Sequence, residues 1–151
     1  VKGNPQAFAA TVAPAIERAL QDRGQDPRLA YAIAAQLGLE TEYGRRMVGN
    51  NLGGVKADRS WQGPAVSAMT TEVEGGKEVR KPQNFRSYAS WTESANDYVD
   101  FILSNPRYRK AGLFEAKTPS EYFAALQRSG YATDPAYQTK ITGTYKSMYG
   151  G

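Results

Sequence analysis

Residues 33–63, IAAQLGLETEYGRRMVGNNLGGVKADRSWQG, carry the reading on which the fold turns. They leave an apolar helix at Glu40 and Glu42, turn basic at Arg45 and Arg46, and open into a loop holding Asn50, Asn51, Gly53 and Gly54 before reaching Trp61. A helix that ends in a carboxylate and runs into a polar, aromatic-bearing loop can form one wall of a cleft. Leu29, Ile33 and Leu37 recur every four residues, marking the buried stripe of a helix expected over Pro27 to about Tyr43. At about 100° per residue, Glu40 falls roughly 20° from Ile33, on that stripe, and Glu42 about 180° away, facing water. A carboxylate on the apolar side is desolvated, which raises its pKa as a general acid working near neutrality requires. The competing reading makes Glu40 half of a structural ion pair with Arg45, Arg46 or a later Lys.

Outward from that stretch, helix starts are punctuated by a capping side chain before proline: Asn4-Pro5, Asp26-Pro27, Thr118-Pro119 and Asp134-Pro135. A first helix is expected over Pro5–Asp22, with Phe8, Val12, Ile16 and Leu20 inward and Gly24 ending it. Others are expected near Thr92–Leu103, Pro119–Arg128 and Pro135–Met148, with Thr118 and Glu121 forming a capping box. Between them, Ala65–Ser90 alternates in period two around Glu74-Gly75-Gly76-Lys77, a hairpin signal, with Pro82 making the returning strand irregular. The fold class is therefore α+β, mostly α. One domain, 1–151, is divided into a helical α-lobe (about 1–60 and 91–151) and a small antiparallel β-lobe (about 65–90) across a cleft. Glu72 on the hairpin is the natural second carboxylate. Glu74 and Glu78, at or beside the turn, read more simply as exposed charges.

Composition limits the chemistry. The chain has 151 residues, no Cys and no His. That removes thiol chemistry, the usual general base, Ser-His-Asp and Cys-His arrangements, and His-metal sites. No cofactor and no metal is expected. No run is long and apolar enough to span a membrane, and no signal peptide is evident at Val1. The sequence starts without Met, so an excised domain is expected. A formal charge of +4 points to an anionic partner. Arg107-Tyr108-Arg109-Lys110 is a basic-aromatic patch too short for a nucleic-acid stripe, and is read as a solvated surface turn.

Ala35-Gln36-Leu37-Gly38-Leu39-Glu40-Thr41-Glu42-Tyr43-Gly44 resembles the AQ-x-A-LE-S-G-W-G signature of glycoside hydrolase family 73. Asn51-Leu52-Gly53-Gly54-Val55-Lys56-Ala57 resembles its N-L-F-G-I-K-A, and Trp61-Gln62-Gly63 its W-x-G. Thr70-Thr71-Glu72, Phe85-Arg86-Ser87-Tyr88, Ser94-Ala95-Asn96-Asp97-Tyr98 and Tyr131-Ala132-Thr133-Asp134-Pro135 follow in the family's order. The departures are Gly38 for Ala, Glu42 for Gly, Tyr43 for Trp and Gly53 for Phe, the last three expected along the cleft. The resemblance implies a lysozyme-like fold and a peptidoglycan-cleaving β-N-acetylglucosaminidase, most like the branch serving flagellar rod assembly. Glu40 would then protonate the glycosidic oxygen. Glu72 would act as inverting base or oxocarbenium stabiliser, unless the sugar's own 2-acetamido group attacks. Asp97 would brace the lobe or orient a catalytic group, with bracing favoured, and Tyr137 would support catalysis. Asn50, Asn51, Trp61, Tyr43 and Tyr131 would contact sugar, the asparagines either shaping the turn or bonding the acetamido group. A monomer in the periplasm of a Gram-negative bacterium is implied, or else a secreted or wall-bound enzyme. Its partners would be peptidoglycan strands and, through a region before Val1, flagellar rod proteins. A lytic transglycosylase or muramidase on the same fold, and a non-catalytic wall-binding module, remain the alternatives.

Overall fold

The computed structural model describes residues 3–132 and 134–150. In chain order these form helices α1 (Pro5–Asp22) and α2 (Leu29–Thr41), strands β1 (Ala65–Glu74) and β2 (Lys77–Arg86), and helices α3 (Trp91–Ser104), α4 (Pro106–Lys110), α5 (Pro119–Ser129) and α6 (Tyr137–Tyr149). A 3-10 turn, Leu113–Glu115, links α4 to α5. This is the expected α+β arrangement of a helical lobe and one hairpin.

Helix α2 is the axle of the α-lobe. Its residues Ala32 to Gly38 are buried without a break, because α1, α5 and α6 pack around it. The chain is therefore apolar on all sides there rather than striped, as a fully enclosed helix must be. Phe8, Val12, Ile16 and Leu20 of α1 are completely buried against it, as the four-residue spacing predicts. Each such side chain contributes about 1.5–3 kcal/mol of burial.

The caps work as the sequence indicates, with two offsets. Asn4 accepts from the Ala7 N–H (2.9 Å) and Thr118 from the Glu121 N–H (3.1 Å). The Glu121 carboxylate reaches back to the Lys117 N–H at 2.7 Å. At Asp26-Pro27 and Asp134-Pro135 the aspartate instead accepts from the N–H two residues on, closing a turn. Helices α2 and α6 thus begin two residues after their prolines. Helix α4 was not expected. Asn105 caps it at the Arg107 N–H (3.2 Å), and it replaces the solvated turn read from Arg107–Lys110. Tyr108 in that segment is buried, so only the arginines and lysine face water.

The hairpin pairs Ala65 with Arg86 through to Glu74 with Lys77. Gly75 and Gly76 both take positive φ (58° and 79°), which a two-residue hairpin turn demands. Pro82 sits opposite Met69, tolerable because both strands are edges. A bridge between Lys56 and Phe85 adds a third, short rung from the 48–57 loop. Asp97 of α3 clamps the hairpin's base, accepting from the Arg86 guanidinium (2.9 Å) and the Tyr88 hydroxyl (2.5 Å).

Candidate active site

Two hollows meet at Glu40 and Gly54 and together make one cleft between the lobes. The larger, about 400 Å³, is lined by Tyr98, Phe101, Tyr108, Tyr131 and Tyr137 with Lys56 and Arg86 among its polar groups. The smaller, about 190 Å³, runs under the hairpin past Arg46, Met47, Val48, Met69 and Phe85. Glu40 stands at the junction because α2 stops one residue later: Glu42, Tyr43 and Gly44 all take positive φ and turn the chain away.

Counted by surface, Glu40 is exposed, since its side chain opens onto the cleft. Counted by the protein crowded around its carboxylate it is deep, and that desolvation raises its pKa. The crowding governs the proton, because solvation of a charge reaches beyond the first layer of water. A hydrogen bond from the Tyr131 phenol acts in the opposite sense. The expected direction therefore holds for a different reason: Glu40 lies not on a core stripe but at a helix end facing an enclosed cleft. The competing ion pair does not form. Arg45 and Arg46 both bind Glu42 instead, at 2.8 and 3.5 Å.

Glu72 projects from the same face of β1 as Val66, Ala68 and Thr70. Lys56, which lines the larger hollow, bonds it at 3.3 Å, and this partner holds its carboxyl below the usual range. Tyr131 and Tyr137 stand side by side, ring centres 5.7 Å apart, beside Glu40. The Tyr137 hydroxyl is buried and finds no hydrogen-bond partner among the described residues. Burial, with the Glu40 charge adding to it, pushes both phenols' pKa values up, so they act as neutral donors. Of the Tyr131–Pro135 motif, Thr133 lies outside the described residues.

Of the other expected sugar contacts, Tyr43, Trp61 and Asn50 line neither arm of the cleft, and Asn51 lines it with its amide already engaged. Tyr43 and Glu42 border a separate hollow behind α2, where Tyr43 meets Phe8 edge-on at 6.3 Å. Trp61 lines neither arm of the cleft. Its ring is occupied by the Arg86 guanidinium at 4.6 Å and by Tyr88, and its N–H goes to the Pro64 carbonyl at 2.7 Å. Asn51 borders the smaller hollow, but its amide is spent. The N–H groups serve the Val55 and Arg86 carbonyls at 2.9 Å each, and its oxygen accepts from the Val55 N–H at 3.1 Å. Asn50 donates to the Tyr88 carbonyl at 2.9 Å. Both asparagines shape the loop. Gly53 does line the cleft, as expected, and a side chain there would strike the Tyr98 ring at 2.2 Å.

The sequence profile of the family described as mannosyl-glycoprotein endo-β-N-acetylglucosaminidase (Glucosaminidase) matches residues 13–150. The chain belongs to that family. It is similar to the peptidoglycan hydrolase FlgJ of Pseudomonas aeruginosa, 39% identical over 93% of this chain and 36% of that protein. The glycoside hydrolase domain of Salmonella typhimurium FlgJ superposes with a TM-score of 0.75 at 35% identity, covering 94% of this chain and 95% of that one. A peptidoglycan hydrolase mutant from Sphingomonas sp. A1 gives 0.78 at 33%, covering 93% and 92%. The chain spans between about a third and a half of the curated FlgJ proteins it matches.

This glucosaminidase fold brings to the site several residues that periodicity did not single out. Gln36, Tyr98, Tyr108 and Tyr122 are buried behind or beside Glu40. The available signal was Gln36 itself, a polar side chain inside the apolar run Leu29–Leu37. Among the described residues no three His, Cys, Asp or Glu converge as a metal site requires, and no helix is long and apolar enough to cross a membrane. A fourth hollow, about 260 Å³ between Tyr31, Pro119 and Tyr145, has Asp26 as its one carboxylate, held low by Arg28.

Proposed function

We propose that this chain is the catalytic domain of a peptidoglycan hydrolase that cuts the β-1,4 bond on the reducing side of N-acetylglucosamine. The observation that carries the reading is the opposite displacement of two carboxylates. Glu40 is pushed up by desolvation and Glu72 is held down by Lys56. Such a split assigns roles: the protonated member donates, the ionised one activates water or stabilises positive charge. Glu40 protonates the departing glycosidic oxygen, Tyr131 borders the sugar with its proton turned to Glu40, and Tyr137, whose hydroxyl has no partner among the described residues, donates to the sugar. The aromatic arm suits stacking on pyranose faces. Asp97 acts through Arg86 and Tyr88 by fixing the hairpin that bears Glu72. The names of the relatives support a place in the periplasm, opening the wall for flagellar rod assembly, with rod proteins engaged through parts of the full-length protein that this chain does not cover.

Borohydride reduction of a peptidoglycan digest, followed by mass spectrometry, tests the reading. Reduced glucosamine ends are expected. Reduced muramic ends would make the enzyme a muramidase, and unreducible 1,6-anhydro ends a lytic transglycosylase. Intact glycan strands would leave a wall-binding module.

A further inference from the structure

Behind Glu40 the core contains a line of polar groups in an otherwise apolar interior. Gln36 lies one turn before Glu40 on α2 and is completely buried. Its amide oxygen accepts from the Tyr122 hydroxyl at 2.6 Å, and its amide nitrogen donates to the Tyr98 hydroxyl oxygen. Tyr122 and Tyr98 are themselves buried, on α5 and α3, so three separate helices contribute to this one contact. Tyr98 borders the same hollow as Tyr131 and Glu40.

An amide has fixed polarity, and that gives the line a direction. Carbonyl oxygen only accepts and NH₂ only donates. With Tyr122 giving its proton to Gln36, and Gln36 giving one to the Tyr98 oxygen, the proton of Tyr98 is free to point onward. The next hydroxyl bordering the hollow is that of Tyr131, close enough to Gln36 and Tyr98 to be influenced by both. A Tyr131 oxygen that receives from Tyr98 turns its own proton to Glu40. Leaving buried hydroxyls unpaired is costly, so the whole set is held to one sense.

We propose that Gln36 is a positioning residue for the reaction: with Tyr122 behind it and Tyr98 ahead, it sets the direction of a hydroxyl line that ends with the Tyr131 proton on the Glu40 carboxylate. The line has two effects. It orients the carboxyl in the cleft, and it favours the ionised form, so Glu40 releases its proton more readily to the leaving oxygen. Tyr122 lines neither arm of the cleft, and its hydrogen bond to Gln36 joins it to the line. The inference rests on Glu40 being the acid.

The test compares Gln36→Met, Tyr122→Phe and Glu40→Gln on soluble glycan fragments, with circular dichroism and Tm for each. Gln36→Met should lower kcat about tenfold and leave KM within about twofold, as loss of an interaction that matters in the transition state does. The alkaline limb of its kcat/KM profile should move to higher pH, since a hydrogen bond favouring the carboxylate has been lost. Tyr122→Phe, which removes one oxygen and opens no cavity, should move the limb in the same direction with a smaller fall in kcat. A merely structural role would lower Tm and leave the limb in place. An unmoved limb in both variants, with Glu40→Gln inactive, overturns this inference alone. An active Glu40→Gln overturns the assignment of the acid.

Discussion

Asn51→Ala offers a sharp measure of how the cleft is built. The side chain makes three hydrogen bonds, to the Val55 N–H, the Val55 carbonyl and the Arg86 carbonyl. The Val55 carbonyl keeps a second partner, the Arg86 N–H at 3.1 Å, so it survives the substitution. The Val55 N–H and the Arg86 carbonyl lose the partner that Asn51 supplies. At about 1.5 kcal/mol for each buried group left unpaired, the cost is about 3 kcal/mol. In a domain of this size, that lowers Tm by roughly 6–12 °C. Urea unfolding followed by circular dichroism reads the same quantity as a shift in midpoint at unchanged slope. Because the loop 51–55 presents Gly54 to Glu40, kcat should fall as well, while KM stays near the parent value. A loss under 1 kcal/mol, or an isolated rise in KM, would refute the reasoning and return Asn51 to the role of acetamido ligand.

Three further outcomes follow from the same geometry. Glu40→Gln should cut the clearing of purified cell walls at least about 10²-fold with the fold intact. It should also raise Tm at pH 8, because an acid whose folded pKa lies above its unfolded value costs stability once ionised. That gain should fade as pH drops below the ordinary value of 4.5, where the parent carboxyl is protonated in both states. Lys56→Met removes the main cause of Glu72's lowered pKa, so the acidic limb of the activity profile should move to higher pH, and Glu72→Gln should depress activity throughout. Gly54→Ala places a methyl 3.3 Å from the Glu40 carboxylate at φ 63°, and should lower kcat with a smaller loss of stability. Kinetics and thermal melts on each variant check these directions.

The fold was largely legible because its elements obey local rules. Helix α1 runs from Pro5 to Asp22 as its cap and four-residue spacing require. The turn at Gly75-Gly76 sets the hairpin register over ten pairs. Helix α4 escaped notice although Asn105-Pro106 carries the same capping signal as Asn4-Pro5; five residues are too few to show a period. The end of α2 escaped because backbone at positive φ in Glu42 and Tyr43, neither of them glycine, leaves no trace in hydrophobic spacing. The helix was carried two residues too far, to Tyr43, which lies past its end and packs against Phe8.

The site divides in the same way, and the division says something about the enzyme. The proposed acid, Glu40, could be singled out from one helix because the apolar run that precedes it in sequence is the enclosed part of α2. Glu72 has its pKa lowered by Lys56, sixteen residues away, and its strand is anchored by Asp97, which holds Arg86 and Tyr88 at the base of the hairpin. The two carboxylates thus have unlike supports. Glu40 is borne by the most enclosed helix of the core, and Glu72 by a two-stranded ribbon whose outer face, Val73 included, is open to water. Under the roles proposed above, a donor must meet the glycosidic oxygen within hydrogen-bond distance, which a buried helix secures. A group proposed to handle water or spread charge tolerates a looser mount, and the strand that carries it needs only a fixed base. Aromatic residues show the converse. Trp61 looked like a sugar platform by residue type, yet in the fold Arg86 occupies its ring, and the aromatic lining of the cleft comes from tyrosines of α4, α6 and the segment leading into α6, which meet only when the helices close.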